Sequence, residues 1–277
     1  MIRGHRTAWA AGALIAVLVA GCAGEDPAPA PAPPATPSSA GQAAPTTPAA
    51  PAPLAGRVVV LDPGHQLGNA RFAAQINRPV DAGGFAKACN TTGTASDRGY
   101  PEATFAWEVA VEVRRRLRRL GARVRMTRED NTADAWGPCI DERGRLGNPG
   151  RPGPTAEVRV SIHADGNRSP SAHGFHVIEP GDLAGWTDDV RAASGRLAVA
   201  VRDALVDAGF VPSTYLGENG IDVRTDLGTL NHSDVPVVMA ELGNMRHADD
   251  AAVMASEAGR RRYARALTTA IRAFLAG

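Results

Sequence analysis

Arg57-Val58-Val59-Val60-Leu61-Asp62-Pro63-Gly64-His65 opens the folded part of the chain and decides how the rest is read. Val58 to Leu61 form an unbroken apolar run, the mark of a strand buried on both faces. Asp-Pro-Gly stops that strand abruptly. His65 is thereby set down just past the strand's carboxyl end, the edge of an open α/β sheet where ligands bind. A turn cap is the competing explanation for one histidine in such a place. A second strand with the same ending, Val158-Arg159-Val160-Ser161-Ile162-His163, raises the prospect of a shared purpose.

Upstream of this strand the chain changes character. Met1 to Ala20 has a basic start (Arg3, Arg6) and an apolar run from about Ala8. Such a run is too short to cross a bilayer but suits a signal-peptide core of roughly 7–15 residues. It ends in Leu18-Val19-Ala20-Gly21-Cys22, which looks like a bacterial lipobox with Cys22 as the lipid-modified first residue. An ordinary signal cut near Ala20 or Ala23 is the alternative, and either way the protein is exported. Ala23 to about Pro53 is almost entirely Ala, Pro, Ser, Thr, Gly and Gln and cannot bury enough apolar surface to fold. Extended at roughly 3.1 Å per residue, this tether would span on the order of 90 Å. The organisation expected is therefore 1–22 signal peptide, 23–53 tether and 54–277 one folded domain. A net charge of +1 over 277 residues leaves no basic field for nucleic acid.

Downstream, Gln66 to Tyr100 is long, polar and glycine-rich, which reads as a functional or flexible loop. It holds Cys89, and Cys139 is the other cysteine of the mature domain. Two cysteines in an exported domain are expected to bridge. Pro101 to Leu120 reads as a helix, with Phe105, Val109, Val113 and Leu117 at helical spacing and Gly121 as its stop. Glu102 stands at its start, either as an acid favoured by the helix dipole or as a metal ligand. Further strands are expected at Arg123–Thr127, Gly174–Ile178 and Pro236–Ala240, and helices at Cys139–Leu146, Val190–Gly209 and Glu257–Leu275. Alternating strands and helices argue for an α/β fold, a mostly parallel sheet with helices on both faces. His65, His163 and Glu241 then share one edge of that sheet.

Two histidines and a carboxylate make a ligand set for catalytic zinc, with a fourth position open. An amide hydrolase also needs a carboxylate that is not a ligand, to move the proton. Glu241 suits that role, since its apolar approach Val237 to Ala240 should desolvate it and raise its pKa. No compact H-E-x-x-H motif is present, so the ligands would be scattered along the chain.

Leu61-Asp62-Pro63-Gly64-His65, Glu102 at a helix start, Thr127-Arg128-Glu129-Asp130, Glu142-Arg143 to Asn148, Ser161-Ile162-His163-Ala164-Asp165 and Pro236 to Gly243 follow in that order. The order resembles the zinc-dependent N-acetylmuramoyl-L-alanine amidases of bacterial cell walls, from about Arg57 to the C-terminus. The resemblance implies that His65, Glu102 and His163 bind one Zn²⁺ and that Glu241 is the catalytic acid/base. It implies structural roles for Arg128, Arg143 and Asn148. The implied activity is hydrolysis of the amide between N-acetylmuramic acid and L-alanine in peptidoglycan, releasing stem peptides during wall remodelling.

The chain departs from the family pattern at Asn244-Met245-Arg246 and in its longer passage after His65. It shows no extra helix between His163 and Glu241, so an open site is expected. His232 and Asn231 are candidates for the substrate groove, and the loop carrying Cys89 for its wall. His173 and His176 read as structural or solvated, and His247 as solvent-facing. Asp62 would either orient a ligand imidazole or cap the turn. The competing functions are a zinc carboxypeptidase or endopeptidase on stem peptides, with Arg224 for a terminal carboxylate, and a silent wall-binding lipoprotein. A lipid-anchored monomer in the cell envelope is expected, with any protein activator undetermined.

Overall fold

A computed structural model describes residues 51–277 together with Ala28, Ala30 and Pro31. The expected signal peptide, Cys22 and most of the expected tether lie outside the described residues. The quoted run becomes β1 (Val58–Pro63), buried throughout. A 3-10 turn (Asn69–Arg71), α1 (Ala73–Ile76), β2 (Pro79–Asp81) and β3 (Ala86–Ala88) follow. Next come α2 (Glu102–Arg119), β4 (Arg123–Met126), α3 (Ile140–Arg145) and β5 (Val158–Asp165). The chain continues through β6 (His176–Pro180), α4 (Arg191–Asp207), β7 (Ile221–Arg224) and α5 (Gly228–Asn231). It closes with β8 (Val237–Asn244), α6 (Ala248–Ala255) and α7 (Glu257–Ala276).

Six strands form the main sheet in the order β4-β1-β5-β8-β6-β7. β4, β1, β5 and β8 are mutually parallel, while β6 runs antiparallel to β8 and carries β7 parallel beside it. The fold is the α/β class expected. The two faces of the sheet are covered differently, and β5 shows why. Val158, Val160 and Ile162 join Val59, Leu61, Val238 and Ala240 in the main core, packed under α2, α4 and α7. The intervening Arg159, Ser161 and His163 point to the opposite face. Among the described residues that face is covered by the short α3 and α5, the β2–β3 hairpin and loops, which give its buried polar groups hydrogen-bonding partners. Arg159, wholly buried, donates to the carbonyls of Arg143 and Leu146.

Two placements differ from the sequence expectation. His163 and Glu241 lie inside β5 and β8, directly opposite each other in register, so the site is on the polar face rather than past the strand ends. The passage from Gln66 to Tyr100 is structured: β2 and β3 form an antiparallel hairpin, Pro79 opposite Ala88. Its polar composition hides the hairpin because the strands have only three residues each and little apolar alternation. α5, α6 and β7 lie in passages whose polar composition reads as loop.

α2 meets the expectation closely. Phe105, Val109, Val113 and Leu117 are fully buried, and Gly121 ends the helix at φ +93°. The disulfide Cys89–Cys139 is present and spans 50 residues of sequence. It ties the chain leaving the hairpin to the first residue of the turn into α3, where Glu142 Oε2 accepts from Cys139 N at 3.0 Å. Replacing both cysteines by alanine is expected to lower stability by about 4 kcal/mol through the loop-closure entropy returned to the unfolded chain. Chemical denaturation of the double variant measures this, and a loss under about 1 kcal/mol would count against it.

Candidate metal and catalytic site

β1 gives out at Pro63, and the chain turns through Gly64 to bring His65 back over the sheet. His65 adopts φ +54°, in the left-handed region. A non-glycine residue there costs on the order of 1–3 kcal/mol and persists only where its surroundings hold it. Three carbonyls of the turn are held by buried guanidinium groups. Arg143 donates to the carbonyls of Pro63 (2.9 Å) and His65 (2.7 Å), and Arg128 to those of Pro63 (3.0 Å) and Gly64 (3.2 Å). Gly64 is required for a second reason: a Cβ there would lie 2.3 Å from Cε1 of His163.

That close approach puts the two imidazoles edge to face, with centroids 4.9 Å apart. Glu102 enters from the first turn of α2. Its Oε1 lies 3.1 Å from Nε2 of His65 and 2.9 Å from Nδ1 of His163. Its carboxylate also accepts from the amides of Thr94 (2.9 Å) and Ala164 (3.3 Å). Burial would raise the Glu102 carboxyl, yet the two imidazoles hold it well below the usual carboxylate range. His65 shows the converse: burial disfavours its charge, but Glu102 outweighs burial and raises its pKa.

Ligand atoms of His65, Glu102 and His163 all lie within 4.8 Å of one another. Nδ1 of His65 faces the Thr91 carbonyl at 3.1 Å, which turns the lone pair of Nε2 towards Glu102. Two imidazoles and a carboxylate converging in this way suit a divalent cation of the zinc type.

Glu241 stands beside His163 in register. Burial, then the nearby carboxylates of Glu102 and Asp165, push its pKa well above the usual value, while Arg224 opposes them. Its Oε2 is buried and has no hydrogen-bond partner among the described residues. All four groups line one cavity of about 410 Å³. Asn90 to Thr94, downstream of the hairpin, form part of its wall, as expected for the segment carrying Cys89.

Other expectations are corrected. His232 and Asn231 are buried and bind the hairpin instead of lining the cavity. Nε2 of His232 lies 2.9 Å from the Asp81 carbonyl, and Asn231 Nδ2 donates to the Ala82 carbonyl at 2.7 Å. Asp62 neither orients an imidazole nor caps the turn. It accepts from Arg143, Thr127 and Ser161, each at 2.6 Å, as the buried counter-charge of the turn. Arg224 is engaged by Asp226 at 2.7 and 2.8 Å and is not offered to a substrate carboxylate. His247 stacks on His173 with centroids 4.9 Å apart, and its Nδ1 is buried. His176, by contrast, agrees with its structural reading: it is buried in β6, opposite Glu241. Thr91 and Gly93 went unnoticed in the sequence, since a Thr-Thr-Gly-Thr passage carries no signal of its own. A Cβ on Gly93 would lie 2.7 Å from Cδ2 of His65.

The family model described as N-acetylmuramoyl-L-alanine amidase matches residues 59–273. The N-acetylmuramoyl-L-alanine amidase of Mycobacterium tuberculosis is 40% identical over 228 residues, covering 82% of this chain and 89% of the relative. Among solved structures, the amidase Ami1 from Mycobacterium smegmatis is 40% identical with a TM-score of 0.73, covering 80% of this chain and 98% of its own. Its counterpart from Mycobacterium abscessus is 43% identical with the same TM-score, covering 80% of this chain and 99% of its own. With the fold, the order of its motifs and these likenesses in agreement, the chain belongs to the N-acetylmuramoyl-L-alanine amidase family of peptidoglycan-cleaving enzymes.

Proposed function

We propose that this amidase is zinc-dependent and releases stem peptides by hydrolysing the bond between the lactyl carbonyl of N-acetylmuramic acid and the nitrogen of L-alanine. The observation that carries this reading is the convergence of His65, Glu102 and His163 with Glu241 beside them on one cavity. His65, Glu102 and His163 would hold the ion, which supplies Lewis acidity for the scissile carbonyl. Glu241 takes the proton of the attacking water at Oε2 as the new C–O bond forms. It then gives that proton to the alanine nitrogen as the C–N bond breaks, leaving a muramic acid carboxyl and a free peptide amine. Burial and the carboxylates of Glu102 and Asp165 raise the Glu241 pKa, which suits a group that must hold a proton between the two steps, while a cation at Glu102 would favour the ionised form that accepts it.

One copy of the chain carries all four groups, which supports a monomer as the working unit. Cys22 as a lipidated first residue, followed by the Ala/Pro-rich tether, would let the domain reach the wall from the outer face of the cytoplasmic membrane. Labelled palmitate should enter the wild-type protein in a bacterial host and not Cys22→Ala; equal labelling of both would rule out this anchor. For the activity, purified peptidoglycan is digested by residues 54–277 with and without a chelator, and products are identified by mass. Free stem peptides beginning with L-alanine, lost on chelation and restored by zinc, are the expected result. Trimmed peptides still attached to muramic acid would overturn the assignment.

A further inference from the structure

Arg128 follows β4, is 6% exposed, and is the side chain that bonds both segments carrying His65 and Glu102. Its Nε donates to the Pro63 carbonyl at 3.0 Å and its Nη2 to the Gly64 carbonyl at 3.2 Å, the two residues that deliver His65. The same Nη2 donates to the Ala103 carbonyl at 2.8 Å, one residue beyond Glu102 in the first turn of α2. Trp107, further along α2, stacks under the guanidinium, with Cζ 5.1 Å from its ring centroid. Nη1 is held in place by Gln66 Oε1 (3.1 Å), the Asp130 carbonyl (2.7 Å) and Asn131 Oδ1 (3.1 Å).

Arg143, the other buried guanidinium of the turn, makes a useful contrast. It bonds Asp62, Thr127 and the carbonyls of Pro63, His65 and Pro138, and none of these is on α2. Arg143 therefore holds the shape of the turn, while Arg128 holds the turn against the helix. A planar fork is suited to this, because one rigid group spans carbonyls on two elements at fixed separation.

We propose that Arg128 is a positioning residue that fixes the spacing of His65 and Glu102 and so sets how tightly the site holds its divalent cation. The proposal rests on the metal site described above. Carbonyls beyond the ligands, joined through one guanidinium, here play the part that outer-shell partners play in metal proteins, where their loss weakens binding 10–100-fold or so.

Arg128→Lys keeps the charge, but a single ammonium cannot reach Pro63, Gly64 and Ala103 together. The test is the zinc dissociation constant of the purified protein, measured by competition with a fluorescent chelator, beside the melting temperature of the metal-free form. The lysine variant should bind zinc about 10-fold or more weakly. A merely structural role lowers the melting temperature and leaves zinc affinity within about twofold of wild type, and that result overturns the proposal. Should the lysine variant not fold, Trp107→Leu decides: affinity about threefold or more weaker supports the clamp, and unchanged affinity overturns it. Wild type that binds no zinc would instead overturn the metal reading itself, and the proposal with it.

Discussion

Glu241→Gln is expected to lower kcat by about a thousandfold while leaving zinc bound. The amide has nearly the same shape as the carboxyl and fills the same space beside His163. What it loses is the ability to take a proton from water and return it to the leaving nitrogen, a function that typically contributes 10²- to 10⁴-fold, roughly the size predicted here. Zinc affinity should hold or fall only slightly, because Glu241 is not among the converging ligand atoms and the amide removes just a neighbouring negative charge. The substitution also has a signed effect on stability. A carboxyl with a raised folded pKa binds protons more readily in the folded protein, so it lowers stability as pH climbs from its unfolded value near 4 towards its folded one. Glutamine cannot ionise, so the metal-free variant should melt higher than wild type at pH 7 and equally at pH 4. Kinetics on muropeptides, zinc titration and melting curves at the two pH values check all three statements. Loss of zinc in the variant would mean that Glu241 is a ligand, and the division of roles would be wrong.

His163→Ala should abolish activity by a different route. It deletes one of three ligands, so zinc affinity should fall more than about 100-fold, beyond the usual cost of losing an outer partner. Glu102 would then keep one imidazole, that of His65, and the amides of Thr94 and Ala164 beside its buried carboxylate. In wild type the depressed Glu102 pKa contributes stability that is fully present above the unfolded carboxyl pKa and is lost as pH falls towards the folded one. Without His163 that contribution shrinks, so the melting temperature of the metal-free variant should depend less on pH below about 4 than that of wild type. Isothermal titration with zinc and melting curves between pH 3 and pH 7 give the two readings. Affinity within tenfold of wild type would remove His163 from the ligand set.

The two variants test the division between ligand and acid/base that the sequence already suggested. Both side chains were legible as candidates, His163 from a strand repeating the ending of β1, Glu241 from an apolar run ending in an acid. Neither reading placed them opposite each other in neighbouring strands, and the site moved from the rim of the sheet onto its polar face as a result. The alternation of Val158, Val160 and Ile162 with Arg159, Ser161 and His163 was the clue to that face. His232 and Asn231 failed as groove residues for a related reason. A polar loop ahead of a catalytic strand looks exposed, but here it is covered by a hairpin whose three-residue strands leave no periodic trace.

What the sequence determined by itself is local. The apolar run Val58–Leu61 made a strand, the 3.6-residue spacing from Phe105 to Leu117 made α2, and Asp-Pro-Gly made the turn that ends at His65. Each follows from burial and backbone sterics within a few residues, so each could be read in place. The order of motifs added the family and the site residues through resemblance. Tertiary structure decided how those pieces meet. His65 and Glu102 come within 3.1 Å, Gly64 leaves room for the His163 ring, and Arg128 joins the turn to the helix across 25 residues. These contacts depend on strand register and on the path of the chain between elements, which no short-range pattern of apolar and polar residues encodes.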